Sequence, residues 1–138
     1  ERAFKVLSSA QLTGVVPGGG AALLHARAAL EDVTFDDDAR YGVELLHNAL
    51  DAPMRQILTN AHVPAPGVIL SQVTEAGPGS AYDVLQERVD DALACGVLDV
   101  AGVVEVVLRT AVSTALMALS TDTIVYHKKP KQNEKMEP

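Results

Sequence analysis

GVLDVAGVVEVVLRTAVSTALMAL, residues 96–119, is the stretch that decides the fold class. Between Val100 and Leu119 only Glu105 and Arg109 are charged, and apolar side chains fall on nearly every face of the helix the run predicts. A helix of that kind needs cover all round, so it is read as the central buried helix of a mainly α fold. Gly96 stops what precedes it, Val97 to Asp99 form a short link, and Asp99 stands where a side chain caps a helix N-terminus. Beyond the helix, Thr123, Ile124, Val125 and Tyr126 read as one short β-strand, followed by a flexible tail, residues 128–138. No second strand of comparable strength is visible, so its hydrogen bonds are expected to go to absent sequence or to a neighbouring subunit.

Upstream the pattern is helical throughout. ERAFKVLSSAQLT, residues 1–13, places Phe4, Leu7 and Leu12 at roughly helical spacing before Gly14. Val15 and Val16 lead into Pro17 and three glycines, and AALLHARAAL then predicts a helix fed by that loop. Asp36 to Asp38 suit the N-terminus of a long helix over about 39–61, with Val43, Leu46, Leu50, Met54, Ile57 and Leu58 as its apolar stripe. Pro53 predicts a kink near residues 49–53 or two abutting helices. VILSQVTEAG is a short helix closed by Gly77, and Ser80 is placed to cap an amphipathic surface helix over YDVLQERVDDALACG, residues 82–96. There is no internal repeat.

Composition narrows the function. In 138 residues, 18 Asp and Glu against 11 Lys and Arg give a net charge of −7, the wrong sign for a protein held on nucleic acid by its overall field. Neither nucleic acid nor a membrane is expected as partner. The longest uncharged run in the apolar C-terminal region, Thr110 to Thr121, falls short of the roughly 20 residues that cross a bilayer. The tail differs from the body, with four lysines against two acids in the last eleven residues. The single cysteine, Cys95, has no internal partner, no basic-then-apolar leader opens the chain, and a reducing compartment fits. Glu1 in place of Met implies a processed or truncated product.

Few motifs carry chemistry. Gly18, Gly19 and Gly20 allow close approach of a ligand, with backbone donors at a helix start able to face a phosphate or a sugar; they serve equally as a tight connection. Asp99 reads either as an N-cap or as a carboxylate accepting from ribose hydroxyls. His25, His47, His62 and His127 show no metal-ligand spacing, so no metal site is assigned, and Cys95 lies in an apolar turn with no base beside it. The acids at 36–38 and 90–91 read as solvated helix faces.

The order of these elements is more specific than any one of them. GVVPGGGAALLHA, then ALDAPMRQILTNA, then ACGVLDVAGVVEVVLRTAVSTALMALSTDTIV closely resembles the C-terminal part of a group I chaperonin, the GroEL family, over Glu1 to Val125. The resemblance implies a mainly α helical bundle, the C-terminal half of an equatorial domain over 1–127, with a short terminal strand. It implies ATP as ligand, with the magnesium ligand outside this chain. Gly18, Gly19 and Gly20 would meet the nucleotide, Asp99 the ribose and Val97 the adenine, and Thr123 to Tyr126 would contact a neighbouring subunit.

Two positions depart from the family pattern. Asp83, Val84 and Leu85 stand where the family has the Asn-Ala-Ala that contacts the base. Arg2 stands where it has the aspartate that positions the attacking water, and a guanidinium cannot do that, so no catalytic residue is assigned. The family further implies a homo- or hetero-oligomeric ring, a co-chaperonin lid, non-native protein clients, and a cytoplasmic location or, alternatively, the plastid stroma or mitochondrial matrix. The rival reading is a chaperonin-derived structural or interaction module that no longer hydrolyses ATP. An apolar helix this hard to cover also predicts self-association or poor solubility of the chain alone.

Overall fold

The computed structural model describes residues 2–31, 37–123 and 125. The chain begins with α1 (Arg2–Thr13), which Gly14 ends by taking a left-handed backbone, φ 80°, with its N–H on Ala10 O. Next come β1 (Val15–Pro17), the triple-glycine loop, and the short helices α2 (Ala21–Ala26) and α3 (Ala28–Glu31). The long helix expected over 39–61 is two abutting helices, α4 (Asp37–Ala49) and α5 (Ala52–Asn60). Pro53 falls in the first turn of α5, where its missing N–H has no intrahelical acceptor to lose, so the proline starts a helix and does not kink one. α6 (Pro66–Ala76) closes at Gly77 as expected.

From residue 80 the structure departs from the helical reading. In place of an amphipathic helix it has an antiparallel hairpin, β2 (Ser80–Asp83) and β3 (Arg88–Asp91), and then a single turn, α7 (Ala92–Cys95). Ser80 caps nothing: it is buried, and its one hydroxyl proton has Val73 O and Gly77 O within reach as acceptors. The reversal is built by Asp83, whose Oδ1 accepts from Leu85 N (2.8 Å) and Gln86 N (3.2 Å), and by Glu87, which sits at φ 52°. All four residues of β2 are buried on both faces, so the strand lacks the alternation that betrays a half-exposed one.

β4 (Leu98–Val100) corrects a second expectation. Asp99 is not an N-cap but the middle of a strand paired antiparallel with β1, in the register Val15↔Val100, Val16↔Asp99, Pro17↔Leu98. Val100 takes the cap position of α8 (Ala101–Leu119) and provides no side-chain bond. Strand partners therefore do exist within the chain; three-residue strands are too short to show a period. Of the terminal strand expected over 123–126, Thr123 and Val125 lie in irregular backbone, while Ile124 and Tyr126 fall outside the described residues, as does the tail.

The core forms from α2, α5, α6, β2 and α7, where Ala21, Leu24, Met54, Leu58, Leu70, Val73, Ala81, Tyr82 and Ala92 pack together. Leu50, Met54 and Leu58 of the expected stripe are buried, whereas Ile57 is exposed. α8 is not the central helix. No residue of it is buried, and Val103, Val106, Val107, Leu116, Met117 and Leu119 are exposed. Only Gly102 and the row Ala101, Val104, Leu108 and Val112, spaced at three and four residues, are half-covered, on the side that meets α1 and β4. Apolar composition measures how much cover a helix needs; it does not place that cover in the same segment. By length and composition α8 is also apolar enough to cross a bilayer, which the uncharged-run count did not register. Gly102 lets α1 approach, its N–H donating to Thr13 Oγ1 at 3.1 Å.

Candidate nucleotide site

The three glycines separate by what stands against them. Gly18 donates its N–H to Val97 O at 2.8 Å, and a Cβ there would meet the Val97–Leu98 backbone at 3.0 Å. Gly20, at φ 84°, has Met54 N only 2.7 Å from where a Cβ would stand. Both are glycines because backbone packs on them. Gly19, at φ 64°, is different: a Cβ would meet nothing but Val97 Cγ1 at 3.8 Å. Its side faces open space beside Val97. The tight-connection reading of the loop thus holds for Gly18 and Gly20, while Gly19 leaves open space beside Val97.

Asp99 lies two residues beyond Val97, in the middle of β4. Asp99 is exposed, and its side chain makes no hydrogen bond or ion pair with any described residue. Pairing of β1 with β4 holds Val16 across from Asp99 and brings the glycine loop alongside Val97. The structure thus sets Gly19 beside Val97, with Asp99 two residues further along the chain in β4. A free carboxylate, an apolar side chain and an uncovered stretch of backbone can accept from vicinal hydroxyls, pack on an aromatic ring and admit a polar group close to the main chain.

The hairpin positions fare differently. Asp83 is 6% exposed and spends Oδ1 on the turn, Val84 packs on the core, and Leu85, 94% exposed, forms the tip. α7 touches both β1 and the hairpin and so stands between the two groups. Arg2 opens α1, and the first turn of that helix carries no acid. Among the described residues no group of three His, Cys, Asp or Glu is placed to hold a metal ion. Cys95 is half-buried, its thiol directed at Ala92 O.

A cavity of about 540 Å³ opens elsewhere, between α2, α3, the α4–α5 junction and α6, and takes in none of these residues. Sequence reasoning missed it, because its polar wall assembles only in three dimensions. Arg55 Nη2 donates to Asp51 Oδ2 at 2.7 Å, Arg27 Nη1 lies 3.9 Å from the same oxygen, Arg27 Nη2 lies 3.2 Å from His47 Nδ1, and His47 Nε2 lies 3.6 Å from Glu31. The Asp51 carboxylate, bonding Arg55 and attracting it, raises the guanidinium's pKa. Glu31, Asp51, Arg27, His47 and Arg55 of this wall pair with one another.

Helix order, ribbon and glycine loop together define a chaperonin-type segment. The pattern of the TCP-1/cpn60 chaperonin family matches residues 1–129, and the chain belongs to that family. It is 35% identical over 134 residues to a chaperonin GroEL of Neorickettsia risticii, covering 96% of this chain and 24% of the relative. It is 38% identical over 114 residues to a chaperonin GroEL 1 of Rhodopirellula baltica, covering 81% of this chain and 20% of that one. Among solved structures, a group III chaperonin crystallised in the open state superposes with a TM-score of 0.68 at 28% identity, over 85% of this chain and 25% of that one. The chain spans about a quarter of the length of the curated relatives it matches. The resemblance read from the sequence and the mainly helical fold are thereby established.

Proposed function

We propose that this chain is the C-terminal half, over 1–127, of the equatorial domain of a chaperonin subunit, and that it supplies part of an ATP site and part of the subunit contacts of a protein-folding ring. The observation that carries the proposal is the open backbone of Gly19 beside the Val97 side chain, with the exposed Asp99 carboxylate two residues further on in β4. On this reading Asp99 accepts from the ribose hydroxyls, Val97 packs beside the adenine, and Gly19 lets the nucleotide approach the main chain. Magnesium would be held by residues outside this chain. The exposed faces of α1 and α8 fit a piece whose cover is supplied by other polypeptide. A ring of like or unlike subunits, a co-chaperonin lid, non-native protein clients and a cytoplasmic location complete the proposal.

A second reading, a chaperonin-derived structural module without hydrolysis, draws on Arg2 in the first turn of α1 and on the engagement of Asp83 in its turn. ATP titration of the native-length polypeptide separates the two. Micromolar binding lost in Asp99→Ala supports the ATP site. No binding by the unaltered protein refutes it and leaves the structural module.

A further inference from the structure

We infer that His25 is a positioning residue for the nucleotide site, bracing the helix that follows the glycine loop against the hairpin that carries Asp83; this rests on the ATP-site reading above. His25 Nε2 lies 3.1 Å from Ser80 O and 3.4 Å from Ser80 Oγ. The carbonyl can only accept, so Nε2 carries the proton and donates. Ser80 Oγ has Val73 O at 3.0 Å and Gly77 O at 2.8 Å as acceptors for its own proton, which leaves its lone pairs toward His25.

Each end of this contact continues into one of the two groups of candidate residues. His25 lies on α2, whose first turn is bonded to the loop through Ala21 N to Gly18 O and Leu24 N to Gly20 O. Ser80 begins β2 and Asp83 ends it, about 10 Å further at roughly 3.4 Å per residue. Apolar packing alone does not fix that strand. Every residue of β2 is buried, so no alternation of apolar and polar faces resists sliding. The bond from His25 adds a directional restraint at its first residue, beside those that Ser80 makes to Val73 O and Gly77 O, on the strand that ends at Asp83.

The test compares His25→Ala, His25→Gln and Asp99→Ala in the native-length polypeptide, by ATP titration and by amide hydrogen exchange of residues 80–91. The glutamine amide can donate to Ser80 O; alanine cannot. Expected are faster exchange across the hairpin in His25→Ala with α5 and α6 unchanged, an ATP dissociation constant raised about three- to tenfold, as for loss of one hydrogen bond, and recovery of both in His25→Gln. Unchanged hairpin exchange in His25→Ala overturns the brace. Faster exchange with unchanged ATP affinity, in a protein whose binding Asp99→Ala abolishes, overturns the positioning role alone. No ATP binding by the unaltered protein overturns the ATP site and the positioning role with it, while the exchange data still report whether the brace exists.

Discussion

Replacing Gly20 by alanine tests whether close backbone approach, and not turn conformation alone, requires that residue. Gly20 sits at φ 84°, ψ −1°, and its added methyl would stand 2.7 Å from Met54 N and 3.0 Å from Met54 Cα. Gly96 supplies the control, at φ 75°, ψ 14°, with nothing within 4 Å. A left-handed backbone disfavours alanine by about 1–2 kcal/mol, and loss of unfolded-chain freedom returns about 0.4–1, so Gly96→Ala should destabilise by about 1 kcal/mol. Gly20→Ala adds an overpacking term of about 1–3 kcal/mol, near its upper end because backbone cannot swing aside, for a total of about 3–4. Against a stability of about 5–15 kcal/mol that is a large fraction. Urea unfolding followed by circular dichroism, at a concentration low enough to suppress association, should separate the two variants by about 2–3 kcal/mol with equal m-values. Equal losses would refute the argument. So would rescue of Gly20→Ala by Met54→Ala, since the clash described here is with backbone that the second substitution leaves in place.

Leu58, 1% exposed at the centre of the core, should lose about 2–5 kcal/mol on replacement by alanine, measured in the same way. Asp83→Asn keeps an oxygen to receive Leu85 N and Gln86 N and should leave the melting temperature nearly unchanged, whereas Asp83→Ala should destabilise by about 1–3 kcal/mol, and the comparison fails if the two behave alike. Sedimentation velocity of the chain alone should show self-association through α1 and α8, reduced by Val106→Lys with Met117→Lys; a monodisperse monomer would contradict it.

What the sequence made legible depended on the length of each element. α1, α5 and α6 are long enough to display a helical period, and the proline at 53 marked the break between α4 and α5. The ribbon of β1 and β4 and the hairpin of β2 and β3 have three or four residues per strand, which a period of two cannot distinguish from a turn. In the hairpin, Val84, Leu85, Val89 and Leu93 happen to fall at helical spacing, a coincidence that hides the turn Asp83 builds. The glycine loop and Asp99 were legible as residues, but not the division of labour among the glycines, which depends on Met54 and Val97 arriving from distant parts of the chain. His25 gave no signal beyond being a histidine without a metal partner; its role is visible only once Ser80 stands beside it.

The pairing of β1 with β4 also governs the order in which this segment can assemble. α5, α6 and the hairpin close over short spans, but Val15 meets Val100 only after a loop of about eighty residues is shut, an entropic penalty on the order of 4 kcal/mol. Contacts of such separation form late. Nucleation therefore belongs to the α5–α6–hairpin body, and the ribbon follows as α8 emerges during synthesis. The β1–β4 ribbon comes into being at the end of that sequence, so a chain that ends before Leu98 would keep every residue of the core cluster and lack the strand that holds Val15 to Pro17.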